Sequence, residues 1–206
     1  MRKLTGAVFM SIDGVMQAPG GPDEDLTSDF QLGGWSFHFW DEALGQPFSK
    51  VIDAEYDLLL GKRTYDIFAG YWPNHRDQPI GARFQRINKY VLTHTDAPLE
   101  WENSSKLSGD TAAAVAELKR TDGRDLLIQG SSTLYPPLLA AGLIDRLVLM
   151  TFPVLLGRGK SIFDGLDTSG AFTLAESLVT GKGVVFAAYE PAGPVPTGDF
   201  SAEQPS

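Results

Sequence analysis

Leu58-Leu59-Leu60-Gly61-Lys62-Arg63-Thr64-Tyr65 and Leu126-Leu127-Ile128-Gln129-Gly130-Ser131-Ser132-Thr133-Leu134 decide the fold. Each begins as an apolar run of strand length, breaks at a glycine, and continues with residues that open a helix. A strand–glycine–helix junction is the mark of a βα unit in a mostly parallel sheet. Further strands are predicted at Leu4–Ile12, Lys89–Thr93 and Asp145–Val154. Helices are predicted over about Asp41–Ala54, from Lys62, over about Ala82–Ile87, over Thr111–Arg120 behind the N-cap Asp110, and over Ser131–Ala141. Pro136-Pro137 fit the first turns of that last helix, and Gly142 stops it. Phe172–Val179 and Gly183–Glu190 read as an antiparallel pair joined by Thr180-Gly181-Lys182. The whole is an α/β fold, a sheet covered on both faces with an antiparallel edge. One domain is expected over 1–190, with a disordered tail over 191–206.

Composition removes several classes of function. The 206 residues carry Lys+Arg 17 against Asp+Glu 26, a net charge of -9, which argues against a nucleic-acid partner held by a basic surface. No apolar run approaches the ~18 residues of a membrane span. There are no cysteines, so disulfides, Cys-ligated metals and thiol nucleophiles are out. His38, His75 and His94 do not pair at metal-ligand spacing, and no metal site is expected. The start, Met1-Arg2-Lys3-Leu4-Thr5-Gly6, lacks an apolar export segment, and the expectation is a cytoplasmic protein.

Each junction is suited to an anion. A helix start has unpaired N–H groups and a positive dipole end, and glycine lets backbone approach a ligand. Lys62-Arg63-Thr64 adds two cations and a hydroxyl, a set that suits a phosphate beyond the pyrophosphate, such as the 2′-phosphate of NADP. The plainer alternative is solvated surface charge at the first junction and a simple Ser N-cap at the second. Neither junction fits G-x-G-x-x-G or a P-loop. The local pattern therefore reaches a nucleotide-like anion site in an α/β domain.

Four segments, in order, resemble the dihydrofolate reductase superfamily, and more closely the riboflavin-biosynthesis reductase domain and its stand-alone relatives. Ser11-Ile12-Asp13-Gly14 resembles S-x-D-G. Leu60-Gly61-Lys62-Arg63-Thr64-Tyr65 is similar to G-[RK]-x-T-[YW]. Ile128-Gln129-Gly130-Ser131-Ser132-Thr133-Leu134 resembles E-G-G-x-x-L. Gly142-Leu143-Ile144-Asp145-Arg146-Leu147, continuing into Pro153-Val154-Leu155-Leu156-Gly157-Arg158-Gly159-Lys160-Ser161-Ile162-Phe163, resembles G-L-[IV]-D-E-L … P-x-x-L-G-x-G-x-x-[LF]-F. The resemblance implies a dihydrofolate-reductase-like three-layer sandwich and an NADPH-dependent reductase acting on a small flat heterocycle or carbonyl compound. It implies that Gly61, Lys62, Arg63, Thr64 and Thr93 hold cofactor phosphates, that Gly130, Ser131, Ser132 and Thr133 cradle the pyrophosphate, and that Ala7 meets the nicotinamide carboxamide. Ser131 stands where the family often has Gly, which requires a negative φ there. His94 stands where an Arg is common, and Gln129 where a Glu is common. A homodimer through sheet edges or the terminal hairpin is also implied.

Reduction of C=N or C=O requires a proton, and a buried carboxylic acid is the usual source. Asp13 and Asp41 are level candidates; their plain readings are a turn aspartate and an N-cap. Trp35, Trp40 and Trp72 are candidates to stack on a flat substrate, with core packing or a dimer contact as the alternative for the run Trp35, Phe37, Phe39 and Trp40. The long segment from Gln17 to Gly34 is a candidate lid. Two other readings stay open: an inactive nucleotide-binding module, and a dimeric scaffold of the same fold.

Overall fold

The structure is a computed structural model and describes residues 1–199. Eight strands form one sheet: β1 (Leu4–Ser11), β2 (Tyr56–Gly61), β3 (Lys89–Leu92), β4 (Ser104–Leu107), β5 (Asp125–Gln129), β6 (Arg146–Phe152), β7 (Ala171–Val179) and β8 (Val185–Gly193). Their spatial order is β4-β3-β2-β5-β1-β6-β8-β7. The first six run parallel, and β8 and β7 add antiparallel at one edge. Helices α1 (Glu42–Asp53), α2 (Lys62–Tyr71), α3 (Pro79–Arg86), α4 (Thr111–Arg120) and α5 (Tyr135–Ala140) complete the fold.

The strands alternate as a doubly covered sheet must. Leu58, Leu60, Leu127, Val148 and Met150 face one way and pack with Leu44 and Ile52 of α1, Tyr65 of α2 and Phe84 of α3. Leu59, Leu126, Ile128, Val8 and Leu147 face the other way and pack with Val115 and Leu118 of α4 and Leu138 of α5. Three layers result, as expected from the resemblance. Gly6 has a packing reason: a Cβ there would lie 2.6 Å from Cε1 of the buried Tyr135 ring.

Several boundaries differ from expectation. The predicted helix over Ser131–Ala141 begins as a 3₁₀ turn at Ser132–Leu134, and α5 starts at Tyr135 with the prolines in its first turn. Helix α3 begins at Pro79, whose missing N–H costs nothing at that position. Strand β4 was not foreseen, because Ser-Ser-Lys-Leu on a sheet edge has no apolar alternation to read. Strand β8 runs through Gly193, with Pro191 opposite Phe172, so pairing continues past residue 190 into the expected tail. The remainder of that tail, 200–206, lies outside the described residues.

Candidate active site

The parallel strands end on one side of the sheet, which is where ligands sit in such folds. A cavity of about 290 Å³ opens there, between the strand ends and the α1–α2 face. One wall holds Gly61, Lys62, Arg63 and Thr64 with Gly130, Ser131, Ser132 and Thr133. The floor is Ala7 and Phe9 of β1, Gln129 of β5 and Met150 of β6. Phe48, Ile67, Phe68 and Trp72 form an apolar wall, and the segment Met16–Gly20 with Glu24, Asp25 and Lys160 forms the roof.

The two junctions are locked together by side chains. Gly61 N donates to Ser131 Oγ at 2.7 Å, and Ser131 N donates to Thr64 Oγ1 at 3.0 Å. A Cβ on Gly130, whose φ is +81°, would sit 2.8 Å from Thr64 Cγ2. The close approach thus requires glycine on two counts. Ser131 itself has φ +61°, which corrects the expectation of a negative φ; its two hydrogen bonds hold this left-handed conformation. Thr93 lies one residue beyond Leu92, the partner of Gly61 in the ladder, on the same sheet edge but outside the cavity lining.

The two acids expected as proton donors lie elsewhere, and their plain readings hold. Asp13 clasps a distant loop, accepting from Ser11 Oγ at 2.5 Å, from Leu156 N at 3.2 Å and from Gly157 N at 2.7 Å. These bonds, the Ser11 hydroxyl foremost, hold its carboxyl below the usual aspartate value, so it stays ionised and has no proton to give at neutral pH. Asp41 caps α1, its Oδ1 accepting from Leu44 N at 2.9 Å. Neither lines the cavity.

The carboxyls that do line it are Glu24 and Asp25. Burial pushes the Glu24 carboxyl up, against the lowering effect of the Gly20 and Gly21 amides that donate to its Oε2 at 2.7 and 3.3 Å. Asp25 is different. Burial works to raise it, but Lys160 Nζ at 2.5 Å, the Thr27 hydroxyl and amide, and Arg63 outweigh that and hold it at about 2. Arg63 Nη2 lies 2.8 Å from Asp25 Oδ1. The segment from Gln17 to Gly34 is therefore fastened over the cavity. Gln17 Nε2 adds bonds to the Asp25 and Thr27 carbonyls, and Phe30 is buried against Val15 and Ala18.

Of the three tryptophans, only Trp72 lines the cavity. Trp35 packs edge-on against Phe152, with its Nε1 donating to the Gln17 carbonyl at 2.8 Å. Trp40 stands behind the cavity wall, edge-on to Phe9 and Phe48 at 5.5 and 5.2 Å. For both, core packing replaces the expected substrate contact, and Phe37 is the exposed member of the run. Sequence reading missed Glu24, Asp25, Phe9, Phe48, Ile67, Phe68 and Met150. Polar residues in a long loop and apolar ones on strand and helix carry no local sign of a shared cavity.

A sequence model of the RibD C-terminal domain matches residues 2–186. The chain belongs to the RibD C-terminal domain family. Among curated proteins, an uncharacterized Bacillus subtilis protein, YyaP, is 24% identical over 192 residues, covering 91% of this chain and 94% of its own. Among solved structures, a Shewanella sp. PV-4 protein assigned to riboflavin biosynthesis shares 21% identity at a TM-score of 0.65, covering 93% of this chain and 99% of that one. Enterococcus faecalis dihydrofolate reductase, solved with NADP(H), shares 17% at 0.57, covering 92% and 96%. Acinetobacter baumannii RibD shares 15% at 0.57, with 93% of this chain covering 58% of that one. These likenesses establish a dihydrofolate-reductase-like, reductase-type fold.

Proposed function

We propose that this family member is an NADPH-dependent oxidoreductase that reduces a small flat heterocyclic or carbonyl substrate. The observation that carries the reading is the locked pair of junctions, Gly61–Thr64 and Gly130–Thr133, facing an aromatic wall across one cavity. The cofactor fits these residues. Gln129 lines the cavity and its Oε1 is buried without a protein partner, which a ligand donor such as a carboxamide N–H would satisfy. Lys62, Arg63, Thr64 and Thr93 would hold phosphates, Gly130 to Thr133 the pyrophosphate, and Ala7 the nicotinamide side of the floor. Bound NADPH supplies a hydride to a carbon of C=N or C=O. The nitrogen or oxygen then takes a proton, and Glu24 is the cavity carboxyl whose burial raises its pKa and so favours the protonated form that can donate one. The exposed apolar residues Phe172, Leu174 and Val179 on the edge strand β7 suit a homodimer through the terminal hairpin.

Titration with NADPH and with NADH, following tryptophan fluorescence, tests the cofactor reading. NADPH is expected to quench and to bind more tightly than NADH. Arg63→Ala is expected to weaken NADPH by roughly ten-fold while barely changing NADH. Quenching by neither nucleotide overturns the reading.

A further inference from the structure

The segment 17–34 supplies most of the cavity's roof, and it is tied down unequally on its two sides. On one side the ties are several. Lys160 Nζ meets Asp25 Oδ2 at 2.5 Å and Thr27 Oγ1 at 2.7 Å, and Lys160 N donates to Gln17 Oε1 at 3.1 Å. Met16 N, just before the segment, donates to the Lys160 carbonyl at 2.8 Å. On the other side stands the junction wall, Gly61–Thr64 and Gly130–Thr133. Among the described residues, one side chain of that wall reaches the segment by hydrogen bond or ion pair. It is Arg63, whose Nε and Nη2 lie 3.0 and 2.8 Å from Asp25 Oδ1.

That single link is placed to be exchanged. Half of the Arg63 side chain is in solvent, so a second anion can reach the guanidinium while Asp25 still holds it. If Arg63 leaves, Asp25 keeps Lys160 and the Thr27 amide and hydroxyl, and no buried carboxylate is stranded. The segment also holds strain that release would relieve. Ala18, Ser28 and Asp29 have φ of +48°, +57° and +55°, a left-handed backbone that non-glycine residues keep only where surrounding contacts impose it. Ser28 and Asp29 are exposed and directly follow the Asp25–Thr27 clasp.

We propose that Asp25 is an autoinhibitory latch. Its carboxylate occupies Arg63 and so holds the roof segment across the cavity mouth. A phosphate anion entering the cavity takes Arg63 over and opens the roof, which swings on the side held by Lys160. Opening is thereby coupled to the ligand's charge, since a neutral molecule offers Arg63 nothing in exchange for Asp25. The proposal rests on the reductase reading only for naming that anion as a cofactor phosphate.

The chain has no cysteine, so two spin labels can be placed on introduced cysteines alone. Asp23→Cys puts one on the roof segment and Asp77→Cys puts the other just before α3, both at exposed positions. The label–label distance is measured on the full chain without ligand, with inorganic pyrophosphate and with NADPH, and calorimetry on the same samples reports binding. Saturating pyrophosphate is expected to lower the population at the closed distance by at least about two-fold. Asp25→Asn and Arg63→Gln are each expected to show the opened distribution with no anion present. Distances unchanged by bound pyrophosphate, or unchanged by both substitutions, overturn the latch, as does failure of pyrophosphate to bind. Opening by pyrophosphate in protein that does not bind NADPH supports the latch and overturns the reductase reading. NADPH bound beneath an unmoved roof overturns the latch and leaves that reading standing. Should Asp25→Asn fail to fold, Arg63→Gln and the pyrophosphate series decide.

Discussion

Charged pairs close both ends of the parallel strands, and they differ in what lies beside them. At the end where the parallel strands begin, Arg2 and Asp57 meet at 2.6 Å with side chains only 2% exposed. Asp57 also accepts from Asn88 N at 3.1 Å, tying the starts of β1, β2 and β3. Asp145 accepts from Leu4 N at 2.7 Å and from Lys119 Nζ at 2.5 Å, tying β1, β6 and α4. At the opposite end, Asp25 meets Arg63 and Lys160, but these line a cavity, and Arg63 keeps half its side chain in solvent. Arg2 and Asp57 are enclosed, and Asp145, though partly exposed, borders no cavity. The second set is open to any anion that enters. The same chemistry is structural where it is sealed and exchangeable where it borders a void.

The sealed end is most sensitive at Asp57. Asp57→Ala leaves Arg2 buried without its carboxylate, with Nη1 already unpartnered, and is expected to cost about 3–5 kcal/mol in urea unfolding. NADPH affinity of the folded fraction is expected to hold within about two-fold, because the pair lies at the far end of the strands.

Lys89, at the start of β3, gives a smaller effect with a defined sign. Its side chain is fully buried, with Nζ donating to the Ile87 and Glu102 carbonyls over the Trp101 ring. Burial lowers it from 10.5 to about 8. Between those values the unfolded chain binds the extra proton, so stability rises with pH from about 8 to about 10.5. A gain of roughly 2–3 kcal/mol is expected from chemical unfolding at a series of pH values. Lys89→Met is expected to flatten the profile over that window.

The smallest effect separates the two ends most sharply. Asp25→Asn is expected to lower stability by about 1 kcal/mol yet tighten NADPH by a few-fold, since Arg63 and Lys160 no longer have a resident carboxylate to give up. The sign of the pH effect follows from Asp25 being held at about 2 against an ordinary 3.8. Its contribution is complete above about pH 4 and fades as pH falls toward 2, and the Asn variant lacks that fade. Weaker NADPH binding by Asp25→Asn would show that the clasp supports the site instead of competing with it.

What could be read in the chain was what local chemistry writes there. Gly61 and Gly130 announce turns, the leucine and isoleucine runs announce buried strands, and Asp110 announces a cap; each stands where expected. Ser131 shows the limit. Its left-handed backbone depends on Gly61 and Thr64, some 70 residues away, and no local pattern encodes that. The acids show it again. Asp13 and Asp41 stand beside recognisable local features, whereas Glu24 reaches the cavity only through the course of a long loop. Trp35 and Trp40 belong to a dense aromatic run, which a core uses as readily as a ligand site does.

Strand β5 occupies the slot between β2 and β1, although the chain reaches it only after β3, β4 and α4 have been laid down. On a ribosome, the amino-terminal half must therefore emerge and wait with a gap in its sheet. Leu58, Leu59 and the inner side of β1 stay unpaired until Leu126–Gln129 arrives to fill it. Gly61 cannot meet Ser131 before that moment. Until then β2 is open on one side and β1 on both, since β6 arrives later still, so a pause in translation between residues 60 and 125 would leave the nascent chain dependent on a chaperone.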